Sequence, residues 1–217
     1  MKKKRFIYFL PFLLGPVLIS GQDVKPDLSE ISNAAIWKTS NREVSKTGTG
    51  EQTTVMFDAR QGDGIAVFQD LEFENGTIEF DVKGKNVFQQ SFVGVAFHVQ
   101  DEKTFNAVYF RPFNFKNEDP VRKNHAVQYI SHPQFTWQKL RADFPEKYEN
   151  PVSPVPDPDQ FFHAKIVVQA SEVKVFVNGA DIPCLEVELL SQFKKGKIGI
   201  WVGYGSDGTF KNLIIRK

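Results

Sequence analysis

Apolar and polar positions alternate with a period of two along residues 76–111, which predicts three successive β-strands. In the middle strand the large apolar side chains share one side, at Val93, Val95, Phe97 and Val99. The other side carries small and polar residues, namely Gly94, Ala96, His98 and Gln100. The alternation therefore predicts one core face and one face open to other chemistry.

The same alternation in the next two strands predicts a shared polar face. If Val108 and Phe110 face the core, Tyr109 and Arg111 point to the opposite side, together with His98. Pro112 ends this strand because proline lacks the N–H that a sheet ladder needs. Gln128 points to the same side if its two neighbours in the following strand pack inward.

The rest of the chain favours β-structure. Turn pairs separate apolar alternations at Asp63-Gly64, which predicts a hairpin between residues 53–60 and 65–68, and at Asn178-Gly179. Residues 145–159 are rich in proline and predict a surface loop. No stretch shows a sustained helical period with caps at both ends, and at most Leu189–Phe193 forms one turn. The predicted fold is an all-β sandwich of two antiparallel sheets.

The first residues are typical of a secretory signal peptide. Four basic residues precede an apolar run of about 15 residues, which is short of the roughly 20 that span a membrane, and Gly21 lies near the expected cleavage point. We expect residues 1–21 to be removed, leaving a single domain over 22–217 that is exported, periplasmic or extracellular, and not stably inserted in a membrane.

Charge and cysteine content narrow the classes of partner. Losing residues 1–21 removes four basic residues and no acid, so the formal net charge falls from +1 to −3, which disfavours nucleic acid as a partner. Cys184 is the only cysteine, so no intramolecular disulfide can form, and a buried structural thiol is expected. The four histidines lack paired zinc spacing, so no cofactor is expected. The candidate ligands for calcium are the turn residues Asp63, Asp101 and Asp207. Aspartates in turns usually hydrogen-bond to the backbone of the turn, so no calcium site is expected.

The order of strand patterns resembles the concanavalin A-like lectin/glucanase superfamily. The stretches that carry the resemblance are G-T-I-E-F-D at 76–81, F-V-G-V-A-F-H at 92–98, V-K-V-F-V-N-G at 173–179 and F-K-N-L-I-I at 210–215. Within it, the chain is similar to exported bacterial domains grouped with the 3-keto-disaccharide hydrolase family and with laminin-G-like jelly rolls. The resemblance implies a jelly-roll sandwich whose concave face binds saccharide.

These observations predict a carbohydrate-binding domain. The expected ligand-binding residues lie on the shared polar face and on the segment after it, which would form a loop wall: His98, Tyr109, Arg111, Gln128, His132 and Trp137. An enzyme that cleaves 3-keto-glycosides or related disaccharides is the first alternative, with His98, Asp101 or Glu118 as general acid or base. A non-catalytic module of the cell envelope is the second. Glu79 and Asp81 share a strand face, but a solvent-facing strand explains them better than catalysis.

Overall fold

The computed structural model of the protein describes residues 23–217. The predicted signal peptide at 1–21 lies outside the described residues. In chain order the strands are β1 (Asp23–Val24), β2 (Trp37–Ser40), β3 (Val44–Thr47), β4 (Thr54–Phe57), β5 (Gly64–Phe73), β6 (Gly76–Lys83), β7 (Val93–Asp101), β8 (Thr104–Phe110), β9 (Val127–His132), β10 (Glu149–Asn150), β11 (Phe162–Gln169), β12 (Glu172–Val177), β13 (Leu185–Glu188), β14 (Gly196–Val202) and β15 (Gly208–Arg216). Two short helices, α1 (Pro120–Asn124) and α2 (Trp137–Asp143), precede and follow β9.

The strands form two antiparallel sheets. The eight-stranded sheet has the order β13-β12-β11-β6-β15-β4-β3, with β1 also paired to β15. The seven-stranded sheet has the order β10-β9-β8-β7-β14-β5-β2. Alternate residues of both sheets pack between them, as in the fully buried Phe57, Phe80, Phe97 and Phe210. This architecture is the two-sheet antiparallel sandwich that the alternation predicted, with the jelly-roll form that the resemblance implied.

The face of the seven-stranded sheet that points away from this core is also buried at its centre. Cross-strand pairing aligns Tyr109 with Gly94 on one side and with Gln128 on the other, and Gly94 with Trp201. All four of these residues are buried. We call this surface the cavity face, defined by Tyr109, Gln128 and Trp201. Its burial shows that loops cover it.

Two local predictions are wrong. The turn at Asp63-Gly64 does not close a hairpin, because β4 lies in the eight-stranded sheet and β5 in the seven-stranded one. The segment from 137 to 143 is the helix α2, which Thr136 caps by accepting a hydrogen bond from the Lys139 N–H. Only Leu140 of this helix is buried, so no repeated apolar period marks it. Asn178 and Gly179 do form a turn with positive φ after β12.

Within residues 23–217, no helix has both the length and the apolar character needed to cross a membrane.

Candidate functional site

A cavity of about 740 Å³ lies on the cavity face. Strands β8, β9 and β14 form its floor, while α1, α2 and the loops before β7 and after β14 form its sides. Its aromatic lining consists of Phe88, Phe92, Tyr109, Phe113, Trp137, Trp201 and Tyr204. Its ionisable lining besides tyrosine consists of Asp63, Arg111, Arg122, His125, His132 and Arg141. Aromatic walls with a few convergent polar groups are typical of small-molecule sites.

The floor of the cavity depends on a close approach between strands at Gly94. A β-carbon at Gly94 would lie 2.1 Å from the Val108 carbonyl oxygen and 2.6 Å from the Tyr109 Cα, so any side chain there would displace β8. With glycine in place, the Tyr109 and Trp201 rings pack with their centroids 5.0 Å apart. The small residues that the sequence shows on this face therefore make room for two aromatic rings.

Arg111 lines the cavity over the Tyr109 ring and holds three neighbours in position. Its Nη2 donates to the Tyr109 hydroxyl and to the Gln128 Oε1, both at 2.7 Å, and its Nη1 donates to the His125 carbonyl oxygen at 2.9 Å. The side chain is 5 % exposed, and this burial lowers the pKa of Arg111 from its ordinary value. The predicted association of Tyr109, Arg111 and Gln128 is thus present as a hydrogen-bonded group.

One buried carboxylate, that of Glu149 in β10, lies close to three basic side chains beside the cavity. Glu149, which is 2 % exposed, accepts from the Arg141 Nε at 2.9 Å and from its Nη2 at 2.6 Å. The His125 Nε2 lies 3.2 Å from the same carboxylate, and the Arg111 Nη1 lies 3.7 Å from it. Desolvation lowers the pKa of His125, since the attraction of Glu149 is opposed by both arginines.

Asp63 and His132 are two further proton-carrying groups in the cavity. Burial raises the pKa of Asp63 and lowers the pKa of His132, and each partly offsets the shift of the other by their attraction. Both shifts favour the neutral forms. The His132 ring stacks on Phe105 with the centroids 5.1 Å apart, which fixes its plane.

Exposed aromatic side chains surround the mouth of the cavity. Trp137 is 40 % exposed and lies under the Arg141 guanidinium, at 4.9 Å from the ring centroid. Phe88 is contacted in the same way by Arg122, at 4.7 Å. Tyr204, at 59 % exposed, extends from the loop after β14. Large exposed aromatics around one opening are a recognised mark of a binding surface.

His98 does not lie on the cavity face, so its predicted association with Tyr109 and Arg111 is wrong. The register of β7 shifts after Phe97, and His98 has a φ of +49°. This bulge turns the imidazole away from the cavity face, to a position 2.8 Å from the Glu74 carbonyl oxygen and 3.4 Å from the Asn106 Nδ2. Strict alternation fails here because a bulge adds one residue to the strand.

The structure places the remaining predicted residues at or beyond the cavity. His132 and Trp137 line it, as a loop wall requires. Asp101 ends β7, where its Oδ1 accepts from the Lys103 N–H of the turn that leads to β8, and neither it nor Glu118 lines the cavity. The roles of all these residues in binding or catalysis remain predictions.

Several residues that line the cavity or lie beside it carry no mark of that position in the sequence. Asp63 belongs to a dipeptide that is typical of a tight turn, which does not predict a place in a cavity. His125 comes directly before a strand pattern, which does not predict one either. Arg141 and Glu149 belong to the segment between β9 and β11, where no strand alternation or motif marks them. Trp201 alternates with two apolar neighbours, so its side could be chosen only after the buried face was known.

The outer face of the eight-stranded sheet has a different polar group. Asp81 accepts hydrogen bonds from the His163 Nδ1 at 2.9 Å and from the Asn212 Nδ2 at 2.6 Å. Glu79 lies 3.5 Å from the other ring nitrogen of His163 and pairs with Arg216. These contacts show Glu79 and Asp81 as members of an ion-pair network. Cys184 is buried, and this burial raises the pKa of its thiol to about 11.

Solved structures with the same fold include two from Bacillus subtilis. The carbohydrate-binding module CBM66 is 15 % identical with a TM-score of 0.54, covering 82 % of this chain and 92 % of its own. A protein with a galectin-like fold is 14 % identical with a TM-score of 0.56, covering 91 % and 96 %. The lumenal domain of VIP36 bound to Ca²⁺ and Man3GlcNAc is 12 % identical with a TM-score of 0.54, covering 84 % and 83 %.

At these identities the likeness establishes the jelly-roll fold alone. No curated protein sequence matches the chain. The family model of the 3-keto-alpha-glucoside-1,2-lyase-like domain, in contrast, matches residues 27–216. Because this match spans both sheets and every residue that lines the cavity, the chain belongs to the 3-keto-alpha-glucoside-1,2-lyase-like domain family.

Proposed function

We propose that the protein, once exported, binds a saccharide or sugar derivative in the cavity on its seven-stranded sheet. The observation that carries the proposal is the combination of aromatic faces and hydrogen-bonding groups in one cavity of about 740 Å³. That volume lies within the roughly 300–1,000 Å³ usual for ligand sites. The carbohydrate-binding module CBM66 and the VIP36 domain bound to Man3GlcNAc, which have the same fold, support a sugar as the ligand.

The chemistry of the lining suits a sugar ring. The faces of Tyr109 and Trp201 can pack against the apolar C–H surface of a pyranose. The Oδ1 of Asn114 is a buried acceptor without a hydrogen-bond partner among the described residues, and the Nε1 of Trp201 is a buried donor in the same condition. A ligand rich in hydroxyl groups supplies both donors and acceptors, so it satisfies both atoms.

The test is a binding screen of the exported protein against a panel of saccharides by glycan array, followed by calorimetry on the hits. Tyr204→Ala is expected to weaken binding because it removes a rim aromatic, whereas Phe193→Ala, an exposed aromatic that does not line the cavity, is expected to leave it unchanged. A protein that binds no saccharide in the panel contradicts the proposal and favours an interaction module of the cell envelope.

Cleavage of a 3-keto-glycoside is the second candidate, and it is favoured by the presence of Asp63 and His132 in the same cavity. A 1,2-elimination removes the C2 proton, which a C3 ketone acidifies, and the C–H electron pair forms a C1–C2 double bond as the C1–O bond breaks. The departing oxygen takes a proton. One group must therefore accept a proton and another must donate one. Asp63 and His132 have opposite pKa shifts within one cavity, which is a pattern found at acid–base sites.

Chromatography of a 3-keto-disaccharide incubated with the protein tests this candidate. Asp63→Asn and His132→Gln are each expected to lower the cleavage rate by about 100-fold or more, the usual contribution of a general acid or base. Asp101→Asn is the matched control, since Asp101 lies outside the cavity. If the saccharide binds but the wild-type protein releases no product, the binding proposal stands and the catalytic one fails.

A further inference from the structure

The arginines on one side of the cavity outnumber the carboxylates beside them, because three arginines share Glu149 and Asp119. Three guanidinium groups line it, at Arg111, Arg122 and Arg141. Both oxygens of the buried Glu149 are taken by Arg141, in a bidentate pair with distances of 2.9 and 2.6 Å. This geometry is the strongest that an arginine and a carboxylate form. The shortest hydrogen bonds of Glu149 therefore go to Arg141, and Arg111 lies farther from the carboxylate.

Arg111 has no carboxylate within hydrogen-bond distance. Its hydrogen bonds of 2.7 to 2.9 Å all go to uncharged oxygens, those of Tyr109, Gln128 and the His125 main chain. Glu149 lies 3.7 Å from its Nη1, which is beyond hydrogen-bond distance. A buried cation without a bonded counter-ion is costly. The site thus has an excess of positive charge around Glu149.

Neighbouring groups add further donors to the same region. The Nε1 of Trp201, which lines the cavity, is a buried donor with no partner among the described residues. Gln128 does not line the cavity itself, and its Oε1 accepts from Arg111. Arg122 adds a charge at the mouth, where Asp119 is 3.8 Å away in a largely exposed pair. A pair of this kind is screened by solvent and binds weakly, so Arg122 can exchange it for a ligand.

We infer that the ligand of this cavity is an acidic sugar, whose anionic group lies at the side of the cavity formed by Arg111, Arg122 and Arg141. The inference rests on the proposed saccharide site and specifies its substrate class. A carboxylate such as that of a hexuronate accepts hydrogen bonds only, which matches a set of groups that donate. The rest of the sugar then lies over Tyr109 and Trp201 and extends toward Asp63.

Calorimetry with matched pairs of oligosaccharides, one containing glucuronate and one containing glucose at the same position, tests the inference. The acidic member is expected to bind at least about tenfold more tightly, with a preference that falls as salt rises. Arg122→Gln and Arg141→Gln are each expected to lower that preference. Lys139→Gln is the control, because Lys139 lies on α2 but does not line the cavity.

The outcomes separate the two proposals. Equal affinity for the acidic and neutral members overturns the acidic ligand and leaves the saccharide site intact. Binding of neither member, nor of any other saccharide, overturns the site itself. Because Arg141→Gln leaves Glu149 without its bidentate partner, thermal unfolding must show that this variant is folded. Arg122 is half exposed, so Arg122→Gln provides the same test without that risk.

Discussion

A histidine and a carboxylate meet on both outer surfaces of the sandwich, with opposite results. In the cavity, His125 lies 3.2 Å from Glu149, and its pKa is lowered, because the ring is desolvated and Arg141 and Arg111 repel its charged form. On the eight-stranded sheet, His163 lies 2.9 Å from Asp81, and its pKa is raised, because it hydrogen-bonds to Asp81 and also faces Glu79. The two pairs differ in their neighbours and not in their chemistry.

The two surfaces differ in how fully their polar groups are paired. On the outer face each acid has a close donor, since Arg216 contacts Asp23 and Glu79, while Asp81 accepts from His163 and Asn212. In the cavity the donors outnumber the acceptors, and the atoms are buried. A complete ion-pair network is what an ordinary protein surface forms, whereas an incomplete buried one indicates that another molecule takes part.

The largest expected difference between the surfaces is in stability. Arg111→Met leaves the Tyr109 hydroxyl, the Gln128 amide oxygen and the His125 carbonyl oxygen without their donor, and should lower the free energy of unfolding by about 3–5 kcal/mol. Arg216→Met, whose side chain is partly exposed, should cost only about 0–1 kcal/mol. Urea unfolding measures both. Equal costs would show that the cavity network has no special role in the fold.

A smaller effect is expected for ligand affinity. Trp137→Ala removes a cavity-lining aromatic, so the Kd for a bound saccharide should rise about fivefold to tenfold, the range for losing one aromatic contact. Phe161→Ala removes a ring of similar exposure, 38 %, that Lys211 contacts on the other sheet. This control should leave the Kd unchanged. The Kd values are measured by calorimetry, and equal values for the two variants would show that the ligand does not contact Trp137 in the cavity.

The smallest effect is on pH dependence. His163 has a folded pKa above the ordinary 6.5, so its pair stabilises the fold fully below about pH 6.5 and loses that contribution as pH rises through the folded pKa. His125 has a folded pKa below 6.5, so the fold loses stability as pH falls from 6.5 toward the folded pKa. Histidine ring NMR should show His163 titrating at higher pH than His125.

Asp81→Asn is the matched control for this titration. It should lower the pKa of His163, because the hydrogen bond to Asp81 is the main cause of its upward shift, and it should leave His125 unchanged. Observation of His125 titrating above His163 would mean that burial and the two arginines do not control the cavity pair.

Much of the cavity face could be predicted from alternation alone. The side-chain direction of Tyr109 and Gln128 follows from the period of a strand, and the structure pairs them across β8 and β9 as expected. His98 shows where the rule fails, since a single bulge reversed its side. A bulge depends on the neighbouring strands and has no clear mark within β7. Alternation therefore assigns side chains to a face only where the strand is regular.

The sequence by itself determined that the chain forms strands, where most of them run, and which side of each carries large apolar groups, because these properties depend on neighbouring residues. Only the tertiary structure decided that β4 and β5 separate into different sheets, and that Glu149, Arg141 and Arg111 meet at one cavity. Sheet order and loop packing depend on contacts between distant segments, and alternation within a segment holds no information about them.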